Sequence, residues 1–549
     1  MLKIVKYLIG LCSLILFITP QAFSVILPPG TKLASKQELG YAISRTPESL
    51  DPGINVDWSI QQVQKSLFDT LLRQDYTGKI VGVGAERWET SADGLTWTFY
   101  LRPQATWTDG QPVKAQDYVY AWQRIIDPKT ASLGADYISA LNLQNSEQIR
   151  AGTLPATSLG VEAKDDFTLV LHLSKPTPWL EDTLTLLPTA PVRQDIIEKY
   201  GQSWTSPSNI VSNGPYALKV NRLNELVSFT LRDDYWDRQN IYITKINYEV
   251  LPKGTSSYMK YLAGDFLTAR IPAQYIEQAL KERKDEIIAE PYPSTYSIVI
   301  NTRKPALQDV RVRQALSLLI DRNFIAQKFY RFYTPTTIVA PKILADGQEQ
   351  SEQTNLLDPQ QRQANIAQAI SLLKQAGYTK EKPLVLSWLY TRGNEADRNN
   401  IAISSMLSDF SQGLIKINLV ANDLTTYYFK IQKYDFDLAF YIMNADFYHV
   451  ASFFNVFTPG NSNNFSGWSN EEFNLLYNQA YNTQDDRQRQ AIYEQMNLIL
   501  QEQVPVIPFL LSSRVIVKSP ALGGFNGTLP FTYMRDYYII ADKSIAPVQ

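Results

Sequence analysis

Hydrophobic residues recur along this chain with two spacings, and the switch between them outlines the fold. Thr96 to Leu101 alternates as a half-buried strand does, then runs into Arg102-Pro103. Asp109-Gly110 marks a turn, and Pro112-Val113 opens a helix carrying Asp117, Trp122 and Arg124. Between Trp58 and Leu72, the positions Ile60, Val63, Leu67, Phe68 and Leu71 fall on one helical face. Phe167, Leu169, Leu171 and Leu173 alternate with Thr168, Val170 and His172, which predicts a second half-buried strand. Asp309 is placed to cap a helix whose Val312, Leu316, Leu319 and Ile320 share a side.

The pattern is clearest after residue 380. Pro383 to Tyr390, Leu414 to Val420 and Phe436 to Met443 have the length and apolarity of strands. Helical stretches over Asp397 to Phe410 and Leu424 to Lys430 separate them. Strands alternating with helices predict a parallel, doubly wound lobe. In such sheets ligands bind beyond the carboxyl ends of the strands. Asp446 follows the third strand by three residues, where it could meet a ligand ammonium group or simply sit on a surface loop. Two further helices are expected near Asn470 to Ala480 and Gln484 to Gln501. Val504-Pro505-Val506-Ile507-Pro508 reads as a proline-broken strand or a crossing segment.

At 549 residues the chain exceeds a single core, so two or more domains are expected. The formal charge of -2, with scattered Lys and Arg, gives no sign of nucleic acid or an anionic membrane surface as partner. Lys3 and Lys6 precede an apolar run from Tyr7 to Ile18, then Ala22-Phe23-Ser24, the layout of a signal peptide cleaved after Ser24. Its removal takes the charge to -4. The single cysteine, Cys12, lies in that run behind Leu11, which disfavours lipidation and leaves a mature chain without disulfides or thiolate metal sites. Localisation in a Gram-negative periplasm, without a lipid anchor, is the expectation.

Catalytic chemistry is sparse. His172 and His449 are the two histidines, and no zinc-binding H-E-x-x-H, phosphate loop or G-x-S-x-G occurs. Gly82-Val83-Gly84 is too short for a dinucleotide fingerprint. Asp233-Asp234 and Asp485-Asp486 read as turn or helix-start charges. No enzyme, metal or cofactor is expected. Aromatic residues make up 12% of the chain, and most should be core, although Phe447, Tyr448, Phe453 and Phe454 crowd the region of Asp446.

Six motifs carry a resemblance. They are Ala85 to Arg124, Leu50-Asp51-Pro52, Asp127-Pro128-Lys129-Thr130-Ala131-Ser132, Asn209 to Tyr216, Asp309 to Leu316 with Ile320-Asp321-Arg322, and Leu372 to Tyr378. Together they resemble the family-5 solute-binding proteins of ABC importers, over nearly the whole mature chain. The resemblance implies an α/β, periplasmic-binding-protein-like clamp of two lobes with an extra third domain, mixed sheets and flanking helices. It places a base lobe at residues 25–68, 193–292 and 515–549, the extra domain at 69–192 and the second lobe at 293–514. It also implies a short peptide ligand, a membrane permease partner, a monomer and no cofactor. Ala445-Asp446-Phe447 is similar to the family's A-D-Y/F element, whose aspartate meets a peptide's N-terminal ammonium. Ile442, Met443 and Asn444 would pair with peptide backbone as an added strand, and Val56, Asp57 and Trp58 would flank the other side. The family's G-W-C before the aspartate is Ile442-Met443-Asn444 here, and the usual proline after it is absent. Those departures leave room for a murein peptide, another amine-bearing metabolite or a metal complex. An exported hydrolase is a further alternative. Arg392 and Arg398, after the strand ending at Tyr390, are the candidates for binding a ligand carboxylate.

Overall fold

The structure, a computed structural model, describes Val25 and residues 27–54, 58–526 and 532–541. The expected signal peptide, Val56 and Asp57 lie outside the described residues. Three sheets organise the rest. The first runs Glu38–Ile43, Lys245–Val250, Leu226–Leu231, Tyr216–Arg222, parallel at its first pair and antiparallel beyond. The second is antiparallel, in the order Ala85–Thr90, Thr96–Leu101, Thr168–His172, Val161–Asp165. In it Phe99, Leu169 and Leu171 face inward, fully buried.

The large sheet runs Thr268–Arg270, Val506–Lys518, Ile287–Ile300, Leu438–Asn444, Leu384–Thr391, Ile415–Asn422, with Thr334–Pro335 paired to Val506–Lys518. Its last three strands are mutually parallel, as the strand–helix alternation predicts. The sheet as a whole is mixed, because Ile287–Ile300 inserts antiparallel beside Leu438–Asn444. That strand and Val506–Lys518 are long crossing strands, paired with each other along most of their length. Their register breaks between Pro291 and Thr295, where Pro291 and Pro293 have no N–H to donate. Pro508 lies inside the second crossing strand, next to another irregularity at Tyr296/Ser297. The buried Arg322 holds that segment, donating from Nε to the carbonyls of Thr336 (2.9 Å) and Pro508 (3.0 Å). The Ile-Asp-Arg motif is therefore structural.

Helix starts follow the sequence closely. Asp309, Asp423 and Asp485 each accept a backbone N–H two or three residues on, at 2.9 Å, capping Val310–Leu319, Leu424–Gln432 and Asp486–Gln503. The first two sheets share one core, in which Leu50, Val63 and Leu67 meet Trp107, Trp122 and Tyr248. A second core under the large sheet packs Ile298, Leu316, Trp388, Leu407 and Phe509. A third joins Trp179 and Leu186, near the second sheet, to Met443, Phe447 and Tyr493.

Candidate functional site

A cavity of about 690 Å³ lies between the first sheet and one face of the large sheet. Tyr41 to Ser44, Gln62, Phe525 and Thr532 line one wall. Strand alternation builds the other. Tyr292, Ser294 and Tyr296 on the first crossing strand, Phe440, Ile442 and Asn444 on Leu438–Asn444, and Ser512, Arg514 and Ile516 on the second crossing strand all point into it. The register explains the match, since Ser294 opposes Asn444 and Tyr296 opposes Ile442 across an antiparallel pair. Leu424, Tyr427 and Tyr428 on helix Leu424–Gln432 form the rim, with Leu424 and Tyr428 exposed.

The strand Leu438–Asn444 has an open edge. It pairs with Ile287–Ile300 along its full length, but with Leu384–Thr391 only at Leu438 and Ala439. The Ala445 N–H donates to the Pro293 carbonyl at 2.9 Å, toward the crossing strand. By the two-residue repeat, the backbone groups of Ile442 and Asn444 face the opposite, unpaired edge. The Phe440 carbonyl accepts from the Tyr427 hydroxyl at 2.6 Å.

Asp446 lies two residues past that strand and, like Arg392 and Arg398, is not among the residues lining the cavity. Its side chain is exposed, and its charge acts on Tyr137 and Tyr441 while that of Asp136 acts on it. Burial, with the Asp136 charge second, pushes its carboxyl up to about 6. Among the described residues it has no hydrogen-bond or ion-pair partner, whereas Asp136 pairs with Arg150 at 2.6 Å. Asp182, which raises Tyr448 from nearby, is pushed up to about 7 by burial and then by Glu181.

The other sequence candidates separate. Ile442 and Asn444 line the cavity. Met443 points to the opposite face and is buried. Phe447 is buried as well, stacked on Trp179 at 6.1 Å and 15°. Both side chains therefore pack away from the cavity, Met443 by alternation along its strand and Phe447 by its stacking on Trp179. Trp58 begins the helix Trp58–Leu67, whose Gln62 reaches the cavity and donates to the Thr532 carbonyl at 3.0 Å. Arg392 and Arg398 are exposed and are not among the lining residues, although Thr391 is. Among the described residues, the cations lining the cavity are Arg270 and Arg514. Sequence reasoning missed both. The spacing Ser512-x-Arg514-x-Ile516 signals a shared strand face, but nothing local marks Arg270. Of the two histidines, His449 is buried against Asp346 at 3.0 Å and depressed by burial, and His172 is a strand residue near Glu162. No three His, Cys, Asp or Glu side chains among the described residues are grouped to hold a metal ion.

Comparison with known proteins agrees with this architecture. The family profile "Bacterial extracellular solute-binding proteins, family 5 Middle" matches residues 79–465. The probable deoxycholate-binding periplasmic protein YgiS of Escherichia coli is 32% identical over 94% of this chain and 96% of its own. The periplasmic oligopeptide-binding protein OppA of Haemophilus influenzae is 31% identical over 97% of this chain and 99% of its own. The crystal structure of the latter protein with RPPGFSPFR superposes with a TM-score of 0.81 at 31% identity, covering 93% of this chain and all of that one. The Escherichia coli murein tripeptide-binding protein MppA gives a TM-score of 0.80 at 31% identity, with 93% and 100% covered. On the profile match and these full-length similarities, the chain belongs to the bacterial extracellular solute-binding proteins of family 5.

Proposed function

We propose that this protein captures short peptides in the cavity between its lobes and delivers them to an ABC permease, as a periplasmic monomer. The observation that carries this reading is the open strand edge at Ile442 and Asn444, on the cavity wall and ending at Asp446. An extended peptide adding to that edge gains backbone hydrogen bonds that do not depend on its sequence. Asp446 would meet its N-terminal ammonium and so fix its direction. Polar groups such as Ser294, Ser512 and Thr391 leave room for water between side chains and wall. The division into a base lobe (25–68, 193–292, 515–549), an extra domain (69–192) and a second lobe (293–514) belongs to the same proposal. Closure would bend the crossing strands at their register break, and peptide favours the closed form by binding it more tightly.

Relatives named for oligopeptide and murein peptide binding support the ligand class. The test is calorimetry with tri- to pentapeptides, together with mass spectrometry of ligand carried through purification under native conditions. Peptide binding with labelled peptide recovered intact is the expected result. Cleaved peptide would establish a hydrolase, and no binding would end the reading.

A further inference from the structure

Arg270 ends the edge strand Thr268–Arg270 and is paired with Ile516 on the second crossing strand. Arg514 lies two residues before Ile516, so the three side chains share one sheet face, and all three line the cavity. The Arg514 guanidinium sits 4.9 Å from the centre of the Tyr292 ring. The positive charge of both arginines acts on the Tyr292 hydroxyl, and that of Arg270 also on Tyr296, in each case against the larger upward effect of burial. Arg514 further depresses the buried Lys65, after burial itself. Arg270 is exposed and has no ion pair or hydrogen bond among the described residues. No Asp or Glu is among the cavity's described lining. Glu290, the cross-strand neighbour of Arg514, is not on that lining, so Arg270 supplies the charge that no described acid offsets. Two cations on one wall raise the local potential for an anion, and the tyrosine rings beside them offer flat contact surface to an apolar or ring-bearing body.

We propose that the Arg270 end of the cavity binds the carboxylate of the ligand, with Arg514 as second cation and Tyr292 and Tyr296 packed against the adjoining part. This rests on the cavity being the ligand site. It assigns the acid-binding end to the edge strand rather than to the loop of Arg392 and Arg398. Three strand spacings separate Arg270 from Leu438–Asn444, about 14 Å at ~4.8 Å each. A ligand that reaches both must carry its carboxylate at least that far from the groups on the open edge. An extended peptide on the open edge runs along the strands, so it meets that condition only where its C-terminal part leaves the edge and crosses the sheet face, which takes about four residues or more at ~3.3 Å each. A rigid amphipathic acid of similar length meets it too, the class to which the ligand named for the YgiS relative belongs.

The test is calorimetry on the full-length mature protein with four probes: tetra-alanine, its C-terminal amide, deoxycholate and the neutral amide of deoxycholate. The expected result is a preference for acid over amide of about tenfold or more in at least one pair, as loss of a charged hydrogen-bonding partner gives. Arg270→Gln should remove that preference and Arg270→Lys should keep part of it, with circular dichroism showing an unchanged fold. Because Arg270 is exposed, neither change disturbs a core. Acid selectivity for deoxycholate alone would uphold the proposal while removing the peptide reading. Peptide binding that ignores amidation would keep the peptide reading and overturn the proposal. A preference surviving in Arg270→Gln, or no binding of either acid, would also overturn it.

Discussion

Asp51 and Asp446 each sit in a short motif, in Leu50-Asp51-Pro52 and Ala445-Asp446-Phe447, yet the regions around them are opposites. Asp51 is almost wholly buried where the first two sheets share a core. It accepts from Arg124 (2.5 Å), the Trp204 indole (3.1 Å) and the Gly53 backbone N–H (2.9 Å). Asp446 lies past an unfinished strand edge, raised by burial and by Asp136, with no described partner. The first acid completes the fold. The second is exposed, has no protein partner among the described residues, and carries a raised pKa of the kind that concentrates at working sites.

The largest effect expected from that contrast is on stability at Asp51. Asp51→Ala strands a mostly covered guanidinium and removes the partner of the Trp204 indole, and should lower unfolding free energy by about 3 kcal/mol, read as a fall in the urea midpoint with peptide affinity retained below it. Asp446→Ala should do the reverse. Peptide affinity should drop by about 2–5 kcal/mol, with the urea midpoint equal to or above that of the wild type.

The pH dependence sharpens the comparison. The Asp446 carboxyl, at about 6, is raised above its unfolded value, near 3.9. Its contribution to stability is therefore present below about pH 4 and is lost as pH rises through about 6. An ammonium ligand needs the ionised form, so affinity should be flat above about pH 7 and fall by up to about tenfold per unit below 6. Asp182, at about 7, titrates in the same window, so the assignment is made by Asp446→Asn, which should flatten the fall. Calorimetry from pH 5 to pH 8 measures both proteins. The smallest effects belong to Arg392→Gln and Arg398→Gln, which should change binding and stability by less than about 0.5 kcal/mol, since both side chains are exposed and off the cavity lining.

Local patterns disclose local structure here. Asp309, Asp423 and Asp485 start helices because a short carboxylate at the first turn satisfies free N–H groups, and that is written within four residues. The strands Leu384–Thr391, Ile415–Asn422 and Leu438–Asn444 are legible because each is a short apolar run set between amphipathic helices. The crossing strands are not legible in the same way. Their pairing joins Ile287–Pro291 to Ser513–Val517, more than two hundred residues on, and Val504 to Pro508 shows a proline-broken strand or crossing segment without showing its partner. The candidate site divides on the same line. Asp446, Asn444 and Ile442 follow from a strand and its end, whereas the burial of Met443 and Phe447 depends on Trp179, from a distant segment. Arg270 reaches the cavity only because its three-residue strand pairs in the Arg270–Ile516 register at the edge of a sheet assembled from six other segments.

The central claim, that Asp446 meets a ligand ammonium, is tested most directly by one calorimetric square: a tetrapeptide and its N-acetylated form, each against the wild type and Asp446→Asn. Acetylation should cost the wild type about 2 kcal/mol or more and cost Asp446→Asn almost nothing, the signature of a direct pair. An equal loss in both proteins, or none in the wild type, would contradict the account.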